Sequence, residues 1–305
     1  MTQLTGPSEQ SWSLRTTSPA TWCANLAPYA KLTKPRLTTM VVITTLVGFA
    51  MGAEQWSWLA LTATLIGAAL SCIGAGVFNQ IHERRIDAVM HRTMNRPLPA
   101  GQISVTHAGV FAFSCCFLGV ILLACLTTFL AAVITLGIVI LYVFVYTPLK
   151  RKSSLSTVVG AVPGALPPVV GYVAATGRLG AEAWLLFAIM FVWQLPHFLA
   201  IAWLYREDYA RANLPVLTVL DPEGSTVFRQ ILLGTIVLLP LTAAPTLLGI
   251  SGTLYLFGGL AAAAMFLAFA ICVAVTRTQL HARRLFFASL VYLPIVLGLM
   301  LVDKV

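Results

Sequence analysis

Nine apolar stretches, each about the twenty residues that a helix needs to cross a hydrocarbon core of roughly 30 Å, follow one another along this chain. They lie at residues 37–53, 58–78, 106–124, 128–146, 156–175, 183–204, 230–248, 253–275 and 286–302. Each is apolar around its whole circumference rather than along one stripe, as lipid and helix neighbours together demand. No ten-residue alternation of apolar and polar positions occurs, which argues against a closed transmembrane barrel. With 59% hydrophobic and only 10% charged residues, the chain is outside the range of soluble domains. The expected fold is all-α, a polytopic membrane protein built as a bundle of nine transmembrane helices.

Ahead of the first stretch, residues 1–27 are polar, rich in Ser and Thr, and charged only at Glu9 and Arg15. They are expected to form a mobile tail in front of a single transmembrane domain, residues 28–305. The first apolar stretch is long, comes late and has no small-residue cleavage site behind it, so no secretory signal is expected. One arginine is too few to favour a mitochondrial presequence. The six cysteines (Cys23, Cys72, Cys115, Cys116, Cys125 and Cys272) show no metal-binding spacing and read as apolar filler.

Nine spans put alternate loops on the same side, and the cations sort sharply between the two sides. Arg178 and Lys304 alone fall on one. All the other Lys and Arg residues fall on the opposite side: in the tail to Arg36, at 84–96, at 150–152, at 206–229 and at 277–284. The positive-inside rule then places the N-terminus and these loops in the cytoplasm. The net charge of +9 is accounted for without any nucleic-acid partner. Lys31, Lys34 and Arg283 read as anchors for anionic membrane lipid.

The carboxylates need a different reason. Of ten acidic residues, six sit in two of those basic loops: Glu83 and Asp87 in one, Glu207, Asp208, Asp221 and Glu223 in the other. Acids do little to set topology, so acids among cations at a membrane surface point to bound metal and phosphate. Asn79, Glu83 and Asp87 recur every four residues and drift only about 40° per step around a helix, so they share a face. Oxygen ligands of this kind suit Mg²⁺, which takes one or two carboxylates and leaves its other positions to water and substrate phosphate. Arg92 and Arg96 follow, and guanidinium groups match phosphate oxygens.

The run from Asn79 to Gly101, NQIHERRIDAVMHRTMNRPLPAG, resembles the first conserved motif of the UbiA-type intramembrane prenyltransferase superfamily. It is most similar to that of the haem-farnesylating branch, in which Asn-Gln followed by Glu stands where most relatives carry Asp; here these are Asn79, Gln80 and Glu83. Lys34-Pro35-Arg36, the segment Tyr146–Arg151 and the stretch from Pro196 to Pro215 extend the resemblance over most of residues 34–222. Within that last stretch Asp208 occupies the family's metal-binding position. The chain departs from the pattern at Ser156, where the family usually has Asn. It departs again at Leu199, a common Trp, and at Ala212-Asn213, a common Ala-Gly.

The resemblance implies a site whose catalytic residues are Asn79, Glu83, Asp87 and Asp208, the last three holding Mg²⁺, while Arg92, Arg96 and Lys150 bind diphosphate. It implies a central cavity opening toward the cytoplasmic side, shaped by the Gly- and Pro-rich stretch from Gly160 to Gly171. The reaction implied is transfer of a farnesyl group from farnesyl diphosphate to a vinyl group of protohaem IX (haem B), with hydration, giving haem O and diphosphate. The setting would be a bacterial plasma membrane in preference to the mitochondrial inner membrane. Haem A synthase or terminal-oxidase assembly proteins would be downstream partners. His197, a titratable ring in an apolar span, is the candidate haem ligand, eleven residues and about 16 Å of helix before Asp208. His82 and His91 are expected at the surface, and His107 and His281 in structural roles. Two rivals remain: a prenyltransferase of the same superfamily acting on an aromatic or quinone-precursor acceptor, and a transporter or assembly scaffold without chemistry.

Overall fold

The structure, a computed structural model, describes residues 27–305. The expected tail therefore lies outside the described residues, except for Ala27, which opens the first helix. In chain order the helices are α1 (Ala27–Leu32), α2 (Pro35–Gly52), α3 (Trp58–Asp87), α4 (Val105–Leu126), α5 (Phe129–Ile140), α6 (Thr147–Leu149) and α7 (Ser156–Ala165). They continue as α8 (Pro167–Thr176), α9 (Ala181–Leu204), α10 (Arg206–Arg211), α11 (Leu217–Leu220), α12 (Ser225–Leu247), α13 (Thr253–Thr276) and α14 (Gln279–Val302). A π-helical turn, Leu141–Tyr146, joins α5 to α6, and α7 and α8 make up one span interrupted at Leu166. Nine membrane-length apolar helical units result among the described residues, and the protein is an integral membrane protein.

Two helices extend beyond their apolar spans in a way that matters. The apolar part of the second span ends at residue 78, where hydropathy falls, and α3 runs on to Asp87, as the shared helical face of Asn79, Glu83 and Asp87 requires. Nothing after Asn79 breaks a helix, and the polar residues that follow are stabilised by contacts with other segments. Likewise α14 begins at Gln279, capped by the Thr278 hydroxyl, and carries Arg283 and Arg284 in its first turns. By contrast α9 ends at Leu204, and Tyr205 (φ −112°, ψ 23°) breaks the chain direction before α10. His197 and Asp208 are therefore not on one continuous helix, and the expected 16 Å of helix between them is not there.

Burial separates inner from outer helices. The most apolar windows of α3 and of the α7–α8 span are 56% and 61% buried, whereas those of α4 and of the Phe129–Leu149 span are 28% buried. The inner helices approach closely because small residues sit at their crossings. A methyl group at Gly48 of α2 would run into the carbonyl of Pro168 in α8, and one at Gly171 of α8 into the carbonyl of Thr45. Small residues play this part between membrane helices generally, where burial from water supplies no attraction. Outward-facing residues such as Phe113, Phe129 and Phe257 are large, apolar and exposed, which is what a lipid-facing surface requires.

Candidate active site

The extended end of α3 carries Asn79, Gln80, Glu83 and Asp87 inward, and all four are at most 3% exposed. Polar groups so buried must find partners or impose a large cost. Asn79 donates from Nδ2 to Thr147 Oγ1 (3.1 Å) and accepts at Oδ1 from Lys34 Nζ (3.4 Å). Gln80 donates to the carbonyl of Leu32 (2.9 Å), which fixes the chain just ahead of Lys34. Glu83 receives Lys150 Nζ at 3.1 Å and 3.2 Å on its two oxygens. Asp87 Oδ2 accepts from Arg96 at 2.7 Å.

Local backbone features bring these partners in. Lys34 adopts a left-handed conformation (φ 48°) at the turn between α1 and α2. Thr147 follows the π turn, its hydroxyl donating to the carbonyl of Tyr142 (2.8 Å), and Pro148 adds no N–H to that part of the ladder. π turns inside α-helices cluster at functional sites. This one sets Thr147 against Asn79 and leaves Lys150 within reach of Glu83.

The second acidic loop joins the first through Asp208. Its carboxylate accepts from the backbone N–H groups of His91 (3.3 Å) and Arg92 (3.2 Å) and from Arg211 (2.8 Å). These donors outweigh the effect of burial and hold its pKa below the usual carboxylate value. Arg92 lies over the Tyr205 ring at 5.0 Å. Met90 packs with Tyr209, Leu214 and Val216, so an apolar cluster backs the junction. Asn213 stands at φ 50°, a conformation open to Gly and tolerated by Asn, which accounts for Asn in place of the family's usual Gly.

The structure thus gathers Asn79, Glu83, Asp87, Arg96 and Lys150, and it sets Asp208 and Arg92 together at the adjoining loop. Among the described residues no three His, Cys, Asp or Glu side chains converge on a common point. One observation nevertheless fits a hard cation: Asp87 Oδ1 is buried with no hydrogen-bond partner. A buried carboxylate oxygen facing no donor is an unmet demand for positive charge. Asp221 has a different task, since it accepts from the N–H groups of Gly224, Thr226 and Val227 and caps α12. Arg151 donates to the carbonyl of His82 at the surface.

Lys34 is the residue that sequence reasoning misplaced. Read as a lipid anchor, it instead reaches Asn79, and burial followed by the nearby Arg96 guanidinium pushes its pKa down to about 8. Lys150 is different: burial acts to lower its pKa, but Tyr146 and Glu83 hold it above the ordinary lysine value. Lys34 precedes a proline at a span's first turn, a pattern equally suited to an anchor, and only the contact across 45 residues separates the two. His197 lies apart from this cluster, in the body of α9. Its Nδ1 is 2.7 Å from Ser289 Oγ, and its ring stacks on Trp193 at 4.9 Å.

Carboxylates and cations are thus buried together at one end of an all-helical membrane bundle. The UbiA prenyltransferase family profile matches residues 41–291, and the chain belongs to that family. A protoheme IX farnesyltransferase of Solibacter usitatus is 43% identical over 286 residues, covering 90% of this chain and 98% of the relative. One of Opitutus terrae is 40% identical, covering 92% and 96%. The fold is also that of a solved digeranylgeranylglyceryl phosphate synthase (TM-score 0.77, 17% identity, 91% of this chain and 98% of that one). A UbiA homologue from Archaeoglobus fulgidus, solved with GPP and Mg²⁺, matches with a TM-score of 0.64 at 17% identity, covering 90% and 99%.

Proposed function

We propose that the protein transfers a farnesyl group from farnesyl diphosphate to a vinyl group of protohaem IX, with hydration, releasing haem O and diphosphate. The observation that carries this reading is the buried face of α3, where Asn79, Glu83 and Asp87 are ringed by Lys34, Arg96 and Lys150. The 43% identity to a protoheme IX farnesyltransferase over nearly the whole chain supports haem, rather than an aromatic or quinone precursor, as the acceptor.

On this reading residues 28–305 form one catalytic domain with a central cavity opening at the end that bears the basic loops. Glu83, Asp87 and Asp208 are the residues that would hold Mg²⁺, beginning with the unpartnered Asp87 Oδ1. When bound, the ion supplies Lewis-acid stabilisation of the diphosphate charge. Arg92, Arg96, Lys150 and Lys34 are cations placed to gather the diphosphate, and they stabilise the negative charge that grows on it as the allylic C–O bond breaks. The apolar helices keep water from the farnesyl cation until the vinyl π electrons form the new C–C bond. Water then adds at the porphyrin side and a proton leaves. Thr147 and Lys34 hold the Asn79 amide between them and keep this end of α3 in place.

The distribution of cations supports an orientation with the N-terminus and basic loops in the cytoplasm, and the relatives from Solibacter usitatus and Opitutus terrae support a bacterial plasma membrane as the setting. The haem O released there would pass to haem A synthase or terminal-oxidase assembly proteins. The test is to incubate purified protein, Mg²⁺, farnesyl diphosphate and haem with competing quinone and aromatic-acid acceptors and identify the products by mass. Haem O and diphosphate are expected; a prenylated aromatic with haem untouched would transfer the assignment to the rival acceptor class.

A further inference from the structure

The hydrogen bond between His197 and Ser289 carries more information than its distance. Ser289 Oγ lies 2.6 Å from the carbonyl oxygen of Phe286, one turn back in α14. A carbonyl oxygen only accepts, so the single hydroxyl proton of Ser289 is committed to it. The bond of 2.7 Å between Ser289 Oγ and His197 Nδ1 then has one polarity: the imidazole donates from Nδ1–H and the serine oxygen accepts. In a neutral ring that leaves Nε2 unprotonated with its lone pair free. No described residue bonds to Nε2, and the residue as a whole is buried, with 8% of its surface accessible.

The surroundings hold the ring as well as the proton. The Trp193 indole stacks on it at 4.9 Å and 25°, and Phe286 flanks it at 5.1 Å. Trp193 is itself tied down, its Nε1 donating to the backbone carbonyl of Ser289 at 2.8 Å. α9 and α14 are thus joined by a unit in which one helix supplies the imidazole and the other fixes its orientation. A histidine that serves only to join two helices does not need a committed tautomer; a ligand to a metal does, and ligating histidines commonly have their second nitrogen bonded in this way.

We propose that Ser289 is a positioning residue that locks His197 in the Nδ1–H form and so presents Nε2 to the iron of the haem substrate. This rests on haem being the acceptor, and the test separates the two ideas. Ferric haem is titrated into the purified protein in lipid nanodiscs, with affinity and the axial-ligand absorption spectrum as readouts. Metal-free protoporphyrin IX, which has no iron to ligate, serves as the control.

His197→Ala should abolish the imidazole-ligated spectrum. Ser289→Ala should weaken haem binding roughly 10–100-fold, the usual effect of losing such a partner. Ser289→Thr, which keeps the hydroxyl, should remain near wild type, and none of the three should change affinity for metal-free porphyrin or farnesyl diphosphate. A second arm avoids changing Ser289. In His197→Gly, added imidazole or 4-methylimidazole should restore the spectrum, whereas 1-methylimidazole, with no N–H to give Ser289, should not. Equal rescue by 1-methylimidazole, or wild-type haem binding by Ser289→Ala, overturns the lock while leaving haem as acceptor. An unchanged spectrum in His197→Ala overturns ligation by His197 and the lock with it. A wild-type protein that neither binds nor farnesylates haem overturns the acceptor assignment itself.

Discussion

Asp87, Asp208 and Asp221 are all acids of the basic loops, yet their partners differ, and so should the consequences of losing them. Asp87 is fully buried with one oxygen on Arg96 and the other unpartnered. Asp87→Asn breaks a buried ion pair, which typically costs about 3–5 kcal/mol. It should nearly abolish turnover even where membrane insertion is preserved. Asp221 only caps α12, so Asp221→Ala should cost about 1 kcal/mol of stability and leave turnover per folded molecule intact. Measured side by side, equal losses of turnover in the two variants would refute the division of roles. Lys34 adds a pH dependence. With its folded pKa lowered to about 8 and its unfolded value near 10.5, the unfolded chain holds more protons between those values. The ligand-free protein therefore gains stability from this group as pH rises through that window. Diphosphate binding goes the other way, since the anion draws the proton back onto Lys34 and affinity should fall above about pH 8. Titrating farnesyl diphosphate from pH 7 to 9.5 checks this; Lys34→Met should bind more weakly at pH 7 and lose the Lys34 step of the profile.

At the scale of elements, length and apolarity made the nine spans legible, because a helix in lipid has few other ways to satisfy its backbone. The ends were less so. Hydropathy drops at Asn79, but the helix does not end there, because Lys34, Thr147, Lys150 and Arg96 pair with the polar face that follows. Those partners lie from 9 to 68 residues away in sequence, and no local pattern encodes such pairings. The π turn before Thr147 and the break at Tyr205 were equally hidden, whereas the shared face of Asn79, Glu83 and Asp87 follows from spacing alone. Gly171 supplies a test at this scale. A Cβ there meets the carbonyl of Thr45, which belongs to α2's backbone and cannot rotate aside. Gly171→Val should force α2 and α8 apart and cost about 1–3 kcal/mol or more. Because Lys34 sits at the start of α2, diphosphate affinity should fall as well. Retention of both thermal stability and affinity would show that the crossing is not as close as the glycine contacts require.

Across the whole molecule, the site depends on two loops more than a hundred residues apart in sequence being fastened to each other. Asp208 makes that connection through the backbone N–H groups of His91 and Arg92, and the cluster around Met90 and Tyr209 backs it. A carboxylate used in this way has two possible duties. It can fix the loop that carries Arg92 and Arg96, or it can leave its backbone partners for Mg²⁺ when substrate arrives. The duties separate in experiment. Asp208→Ala removes both, so amide exchange at His91 and Arg92 should quicken while turnover falls. Asp208→Asn keeps an oxygen that can accept from the backbone but no longer offers a full negative charge to a cation or to Arg211. Exchange at residues 91 and 92 should then stay close to wild type, while the Mg²⁺ concentration needed for half-maximal turnover rises several-fold. Glu83→Gln supplies the comparison from the other loop: a raised Mg²⁺ requirement with no change in exchange at 91 and 92, since Glu83 touches neither. If Asp208→Asn instead accelerates exchange as much as Asp208→Ala and leaves the Mg²⁺ requirement unchanged, Asp208 is a fastening between loops and the metal is held from α3.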